Sequence, residues 1–354
     1  LWAEQWPIVW CEAVAACIAR CTADAAIAGI APAAIKAVCV SSLYGGSGIP
    51  VDAAMQPLHP CLIWMDRRAT EETEWVRGNV DLDRLYAITG NGVDSYYGYT
   101  KMLWLRRHRP EVWAATRWFV PPNAYVIHEL TGELAVDHSS AGNIGGVYDL
   151  EKRGWSEEAL AMLDIPASMM PPRLVESSDV VGGVLRLEPG TPVIAGGVDA
   201  AMATFAAGAT RIGQHVAMIG TSMCWGYIER QTDARRGLVA MPHVHNGRRD
   251  LYLFGGAITA GASVSWFREQ FGQAEALAAR DSGEDPHHLL EEAAARVPAG
   301  AEGLLFLPYL MGERSPIWDA KASGAFVGLN LIHSRAHLYR AVLEGVAFAL
   351  QHNI

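Results

Sequence analysis

An α/β fold is the class this sequence predicts, on three observations. Short apolar, β-branched runs such as residues 35–42 (IKAVCVSS) and 192–195 (PVIA) alternate with stretches of helical apolar spacing. Glycine pairs stand where such runs end, as at Gly196-Gly197 and Gly255-Gly256. The length, 354 residues, exceeds what one ordinary core holds. Two domains are therefore expected, residues 1–208 and 209–354, and no short-period repeat is visible.

The elements follow in order. Apolar spacing predicts a helix over residues 7–25, with Pro7 in its first turn. Residues 35–42 read as a buried strand, 44–48 as a loop and 61–65 (CLIWM) as a second strand. A charged helix is expected over 68–77, with Gly78 just past its end. Further helices fall at 101–108, at 124–130 before Gly132, and at 156–163 with Ser156 as N-cap. Residues 174–192, punctuated by Gly182-Gly183 and Pro189-Gly190, read as irregular surface structure. Then come a strand at 192–195, a tight turn at Gly196-Gly197 and a small-residue helix at 199–207. Strands at 215–219 and 224–228 flank Gly220-Thr221-Ser222, and a strand at 251–254 precedes a helix at 259–271. A strand at 304–307 and a long helix at 335–350 complete the pattern.

Hydrophobic residues make up 51% and charged residues 19%, which excludes a disordered chain. A formal charge of −10 argues against a nucleic-acid partner, whose backbone is bound by clustered Lys and Arg. Six cysteines form no C-x-x-C pair; Cys17 and Cys21, one helical turn apart in an apolar stretch, read as core-facing rather than metal-binding. No apolar run reaches the roughly 18 residues that span a bilayer. The start carries Glu4 and Glu12 in place of a basic leader. The expectation is a soluble cytoplasmic protein with no membrane partner.

Four constellations could carry chemistry. In Ala195-Gly196-Gly197-Val198-Asp199 a strand runs through two glycines into an aspartate at a helix start. Asp199 reads either as an N-cap or as a carboxylate that takes a hydroxyl proton in phosphoryl transfer. Gly220-Thr221-Ser222 is either a polar hairpin turn or a phosphate cradle. The Gly/Ala-rich stretch from Phe254 to Ser263 allows close approach of a flat ligand or of strand and helix. Trp64-Met65-Asp66-Arg67-Arg68 is either a surface salt bridge or a holder of substrate hydroxyls at a strand end. There is no G-x-x-x-x-G-K-[ST] loop, no G-x-S-x-G elbow and no H-E-x-x-H.

Together these residues resemble the FGGY carbohydrate kinases. The most specific match is Gly324-Ala325-Phe326-Val327-Gly328-Leu329, then seven residues, then His337-Leu338, two residues and Ala341-Val342-Leu343-Glu344. Phe306-Leu307-Pro308-Tyr309-Leu310 and Gly312-Glu313-Arg314-Ser315-Pro316, with Asp319, resemble the stretch that precedes that signature. Trp64 to Arg67, Leu130-Thr131-Gly132 and residues 96–104 (YYGYTKMLW) resemble the N-terminal motifs, although Gly98 stands where Pro, Ser or Thr is usual.

The resemblance implies two ribonuclease H-like domains of the actin, hexokinase and Hsp70 superfold around a cleft, both incomplete in this chain. It implies ATP and Mg²⁺ as cofactors and a sugar or polyol as substrate, a pentulose such as D-xylulose being the expected one. Asp199 falls on the family's base. Tyr44, Gly45, Trp64, Asp66, Arg67 and His138 are the expected substrate contacts, and Gly220, Thr221, Ser222, Gly261 and Ser265 the expected nucleotide contacts. The xylulokinase histidine is absent from Ser42-Leu43-Tyr44-Gly45-Gly46, so the sugar stays open, and a non-catalytic sugar-binding relative is the alternative. A homodimer is the expected assembly. Both ends read as cut, since the family's opening D-x-G-T hairpin and closing adenosine motif have no counterpart here; the isolated stretch is expected to turn over poorly.

Overall fold

The computed structural model describes residues 2–43, 45–184, 190–233, 237–283, 285–319 and 321–354. They form two compact units: Leu1–Gln214 with Tyr227–Ala234 and Val239–Leu253, and His215–Gly226 with Arg235–Leu238 and Phe254–Ile354.

In the first unit the strand Val38–Ser42 lies parallel to Pro192–Val198, whose other edge takes Val180–Gly183 antiparallel. The apolar alternation explains why this sheet forms: Val193 and Ala195 turn into a core with Ile127, Ala135, Val175, Val181 and Val184. Two expectations need correction here. The 174–192 stretch holds two short strands, Leu174–Val175 and Val180–Gly183, because its alternate valines are buried. Gly196-Gly197 is not a turn but part of the strand, which carries one extra residue against its partner. Ile194 faces Cys39 while Gly197 faces Ser41. At this bulge Gly196 has φ +64, and a side chain there would sit 2.0 Å from the Val40 carbonyl oxygen, so only glycine fits.

Helix Pro7–Ile27 packs on helix Pro122–Thr131, yet Pro7 is its sole buried residue, and Cys17 and Cys21 are exposed. Their expected core-facing role is thus not met; the helix has small residues around its whole circumference and no single apolar stripe. Helix Thr70–Asn79 runs through Gly78, which therefore does not end it; Val80 is the C-cap. Gly132, with φ +77, and Ser156, which accepts a hydrogen bond from the Ala159 N–H, end and start their helices as expected. Helix Gly98–His108 is buried from Gly98 to Leu105 on every side.

In the second unit the strand Leu305–Leu307 pairs antiparallel with Ala325–Val327. Helices Gly261–Phe271, Pro286–Ala295 and Arg335–Asn353 surround a core of Phe267, Leu290, Val297, Phe306, Tyr339 and Val342. Arg335–Asn353 starts at a capping box between Ser334 and His337. Among the described residues no helix is long and apolar enough to cross a membrane.

Candidate active site

The parallel pair sets the geometry. Val198 faces Ser42 in register, so the chain leaving both strands emerges at the same, carboxyl end of the sheet. Asp199 follows one strand and the loop containing Gly45 follows the other. Ligands of open α/β sheets gather at such carboxyl ends.

Asp199 is the first residue of helix Asp199–Ala206, and Val198 rather than Asp199 is its N-cap. The carboxylate accepts from the Ala200 N–H at 2.7 Å. Asp199 is exposed, yet the protein packed about its carboxylate lifts its pKa to about 6, against the opposing pull of that hydrogen bond. A carboxylate poised there is a competent base at neutral pH.

A buried polar network fixes its backbone. Asp137 caps the short helix His138–Asn143 by accepting from the Ser140 N–H at 3.0 Å, and it also accepts from the Ser139 hydroxyl and from Asn123 Nδ2 at 2.7 Å. Ser139 Oγ in turn accepts from the Val198 N–H at 3.1 Å. Buried and mutually satisfied, these groups hold the residue before Asp199 in one place.

The second wall is the loop at Gly45, which is buried. Its N–H donates to Asn143 Oδ1 at 2.5 Å, and its carbonyl accepts from Lys101 Nζ at 2.5 Å. Gly45, Gly46, Ser140, Asn143 and Val198 line a small cavity of about 20 Å³, room for about one water. Tyr44 lies outside the described residues. Gly98 presses on this loop: a side chain there would lie 2.0 Å from the Gly46 carbonyl oxygen.

The Trp64–Arg68 constellation divides. Trp64 lies against the Gly45 loop, 3.1 Å from where a Gly45 side chain would begin. Arg67 pairs with Asp94 at 2.5 Å and keeps partial exposure. Asp66 is 0% exposed and both its oxygens are occupied, by Ala3 N–H, Arg68 N–H and the Arg68 guanidinium. Of the two readings left open for this stretch, the salt bridge is present but buried rather than at the surface, with Arg68 lying 3.9 Å over the Trp2 ring and 4.9 Å from that of Trp104.

His138 is 7% exposed and shares a 2.8 Å hydrogen bond with the Tyr148 hydroxyl through Nδ1. Its Nε2 lies 3.9 Å from Glu176, and burial holds its pKa below the usual histidine value. Glu176 also accepts from the Gly247 N–H and from Arg248, each at 3.1 Å.

In the second unit, Gly220-Thr221-Ser222 is a tight turn in which the Gly220 N–H donates to Ser222 O at 2.9 Å. Helix Gly261–Phe271 is clamped to it: Gly261 N–H donates to Gly220 O at 2.9 Å and Ala262 N–H to Thr221 O at 3.0 Å. The structure thus brings Gly220, Thr221, Ser222 and Gly261 together. It also shows the first helical amides engaged with protein carbonyls, leaving the exposed Thr221 and half-buried Ser222 side chains as the turn's polar surface. Ser265 lies one turn into the helix, half-buried.

Sequence reading passed over Lys101, Asn143, Asp137, Ser139 and Asn123. Lys101 was detectable as the one charge within the apolar first turns of its helix. The others are brought together from separate segments and carry no local signal.

The chain belongs to the FGGY family of carbohydrate kinases. The family's N-terminal domain model matches residues 1–206 and its C-terminal domain model residues 215–354. It is similar to the xylulose kinase of Bacillus subtilis (strain 168), with 33% identity over 315 residues, covering 86% of this chain and 60% of that protein. The gluconokinase of Bacillus licheniformis is 29% identical over 314 residues, with the same coverage of 86% and 60%. Among solved structures, the xylulose kinase from Rhodospirillum rubrum matches with TM-score 0.86 and 32% identity, covering 99% of this chain and 70% of that one. The chain thus spans about 60% of the length of these curated relatives. Its fold is the two-domain kinase fold of the actin and hexokinase superfold, shared with the Plasmodium falciparum glycerol kinase at TM-score 0.73.

Proposed function

We propose that the protein transfers the γ-phosphoryl group of ATP to a hydroxyl of a sugar or polyol, a pentulose such as D-xylulose being the favoured acceptor. The observation that carries this reading is Asp199, set by the Gly196 bulge at the carboxyl end of the sheet beside the Gly45 loop, with a pKa raised to about 6. The likeness to xylulose kinases supports the acceptor, and the likeness to gluconokinases makes a hexonate the second candidate.

The acceptor sugar would bind on the first unit, with Gly45, Trp64, Arg67 and His138 as the candidate contacts. The nucleotide would bind on the second, at Thr221, Ser222, Gly261 and Ser265. The acceptor oxygen forms a bond to the γ-phosphorus as the bond to the β-bridging oxygen breaks; Asp199 takes the hydroxyl proton and ADP leaves. Mg²⁺, when bound, offsets phosphate charge. Among the described residues no cluster of three acidic, His or Cys side chains is built to hold it.

The test is ADP release by the full-length protein with Mg·ATP and a panel of pentuloses, polyols and hexonates. D-xylulose is expected to give the strongest release, and Asp199→Asn to lower kcat by at least about 10²-fold, the low end for losing a general base. Sugar binding with no ADP from any acceptor would establish the non-catalytic relative instead. A cytoplasmic location and a homodimer belong to the same proposal; fractionation and sedimentation test them.

A further inference from the structure

Lys101 is an unusual group for the protein interior, since its side chain has no exposed surface. Its Nζ donates to three carbonyls: Gly45 O at 2.5 Å, Tyr96 O at 2.7 Å and Ile63 O at 2.9 Å. An ammonium has three N–H donors and no acceptor, so this set is matched one for one. The three carbonyls belong to the loop after Val38–Ser42, the segment leading into Trp64, and the turn before Lys101's own helix.

Among the described residues no carboxylate lies within ion-pair distance of Nζ. The charged and titratable groups facing it are Asp66, Arg67, Cys61 and Asp94, with the Tyr96 ring 5.9 Å away. Asp66 is already committed to Arg68, and Arg67 to Asp94. Gly98 adds an independent constraint, because its backbone packs directly on the Gly46 carbonyl. The same helix start therefore pins Gly45 by a charge and Gly46 by contact.

We propose that Lys101 is a positioning residue whose ammonium form holds the Gly45 loop in the shape that receives the sugar. The proposal rests on the sugar-kinase reading and adds a specific consequence to it. A neutral amine offers two donors and turns a lone pair toward one of three carbonyl oxygens, so deprotonation releases the loop. Burial lowers the Lys101 pKa to about 7, which puts that release within the neutral range. Sugar affinity should fall as pH rises past neutrality, while ATP affinity, which does not involve this loop, should not.

The experiment is the sugar KM and the ATP KM of the full-length protein from pH 6 to pH 9, for the wild type and for Lys101→Gln. In the wild type the sugar KM is expected to rise at least about fivefold with the ATP KM constant. In Lys101→Gln it is expected to be high at pH 6 and flat. A wild-type sugar KM that does not move, or a Gln variant that keeps the wild-type pH slope, overturns the proposal. If Lys101→Gln does not fold, hydrogen exchange of residues 45–48 in the wild type decides. Protection that falls with pH more than in the helix core, after correction for intrinsic exchange, supports the clamp, and unchanged protection refutes it. That measurement needs no turnover, so failure of the kinase reading, seen as no sugar-dependent ADP from the wild type, stays distinct from failure of the clamp.

Discussion

Replacing Asp66 by Asn separates a structural carboxylate from a substrate-binding one. The side chains of Asp66 and Arg68 are 0% and 1% exposed, and they pair at 2.7 Å. Removing one partner of a buried pair typically costs about 3–5 kcal/mol, because the other charge stays buried. Arg68 retains Glu4 at 2.7 Å, itself 39% exposed, and the two tryptophan rings, so the lower end, about 3 kcal/mol, is expected. For a unit of this size about 2–4 °C is lost per kcal/mol, which gives a fall of about 6–12 °C in the midpoint. The assay is thermal unfolding followed by tryptophan fluorescence, since Trp2 and Trp104 flank the guanidinium. Sugar KM, measured well below the transition, should change less than about twofold. Asp66→Leu combined with Arg68→Met should recover most of the loss, because a well-packed apolar pair replaces a buried ionic one at little cost. A midpoint within about 2 °C of wild type, with a sugar KM raised tenfold, would refute the reasoning and return Asp66 to the substrate.

Three more expectations follow, two from the site and one from a buried histidine. With Asp199 titrating near pH 6, kcat/KM for ATP should fall about tenfold between pH 7 and pH 5, and a flat acid limb in the active enzyme would count against Asp199 as base. Gly98→Ala places a carbon 2.0 Å from the Gly46 carbonyl oxygen; the loop must shift, so sugar KM should rise more than tenfold while ATP KM holds, as steady-state kinetics can show. His243, 1% exposed, accepts from the His245 N–H through Nδ1 and is held to a pKa of about 4 by burial, chiefly. The unfolded chain binds this proton near pH 6.5 and the folded one only near 4, so stability is lost as pH falls through that window, by up to about 3 kcal/mol. His243→Gln should flatten the acid side of a denaturation midpoint plotted against pH, and an unchanged slope would exclude His243 as its source.

The sequence by itself determined the α/β class, the glycines that precede Asp199 and the signature around Gly324, because each is a local pattern. Apolar alternation marks a strand, and helical spacing with a cap such as Ser156 marks a helix; neither needs a distant partner. What the tertiary structure decided depends on residues far apart in the chain. Gly196-Gly197 read as a turn from its composition, and only the pairing with residues 38–42 shows a bulge that aims Asp199. Asp66 and Arg67 are neighbours with the same motif character, yet one is sealed under Arg68 and the other stays partly open. Lys101 stands out as a charge in an apolar helix, but the three carbonyls that hold it come from three segments. Burial, and the identity of a buried group's partners, are properties of the packed chain, and they assign roles that a motif leaves open.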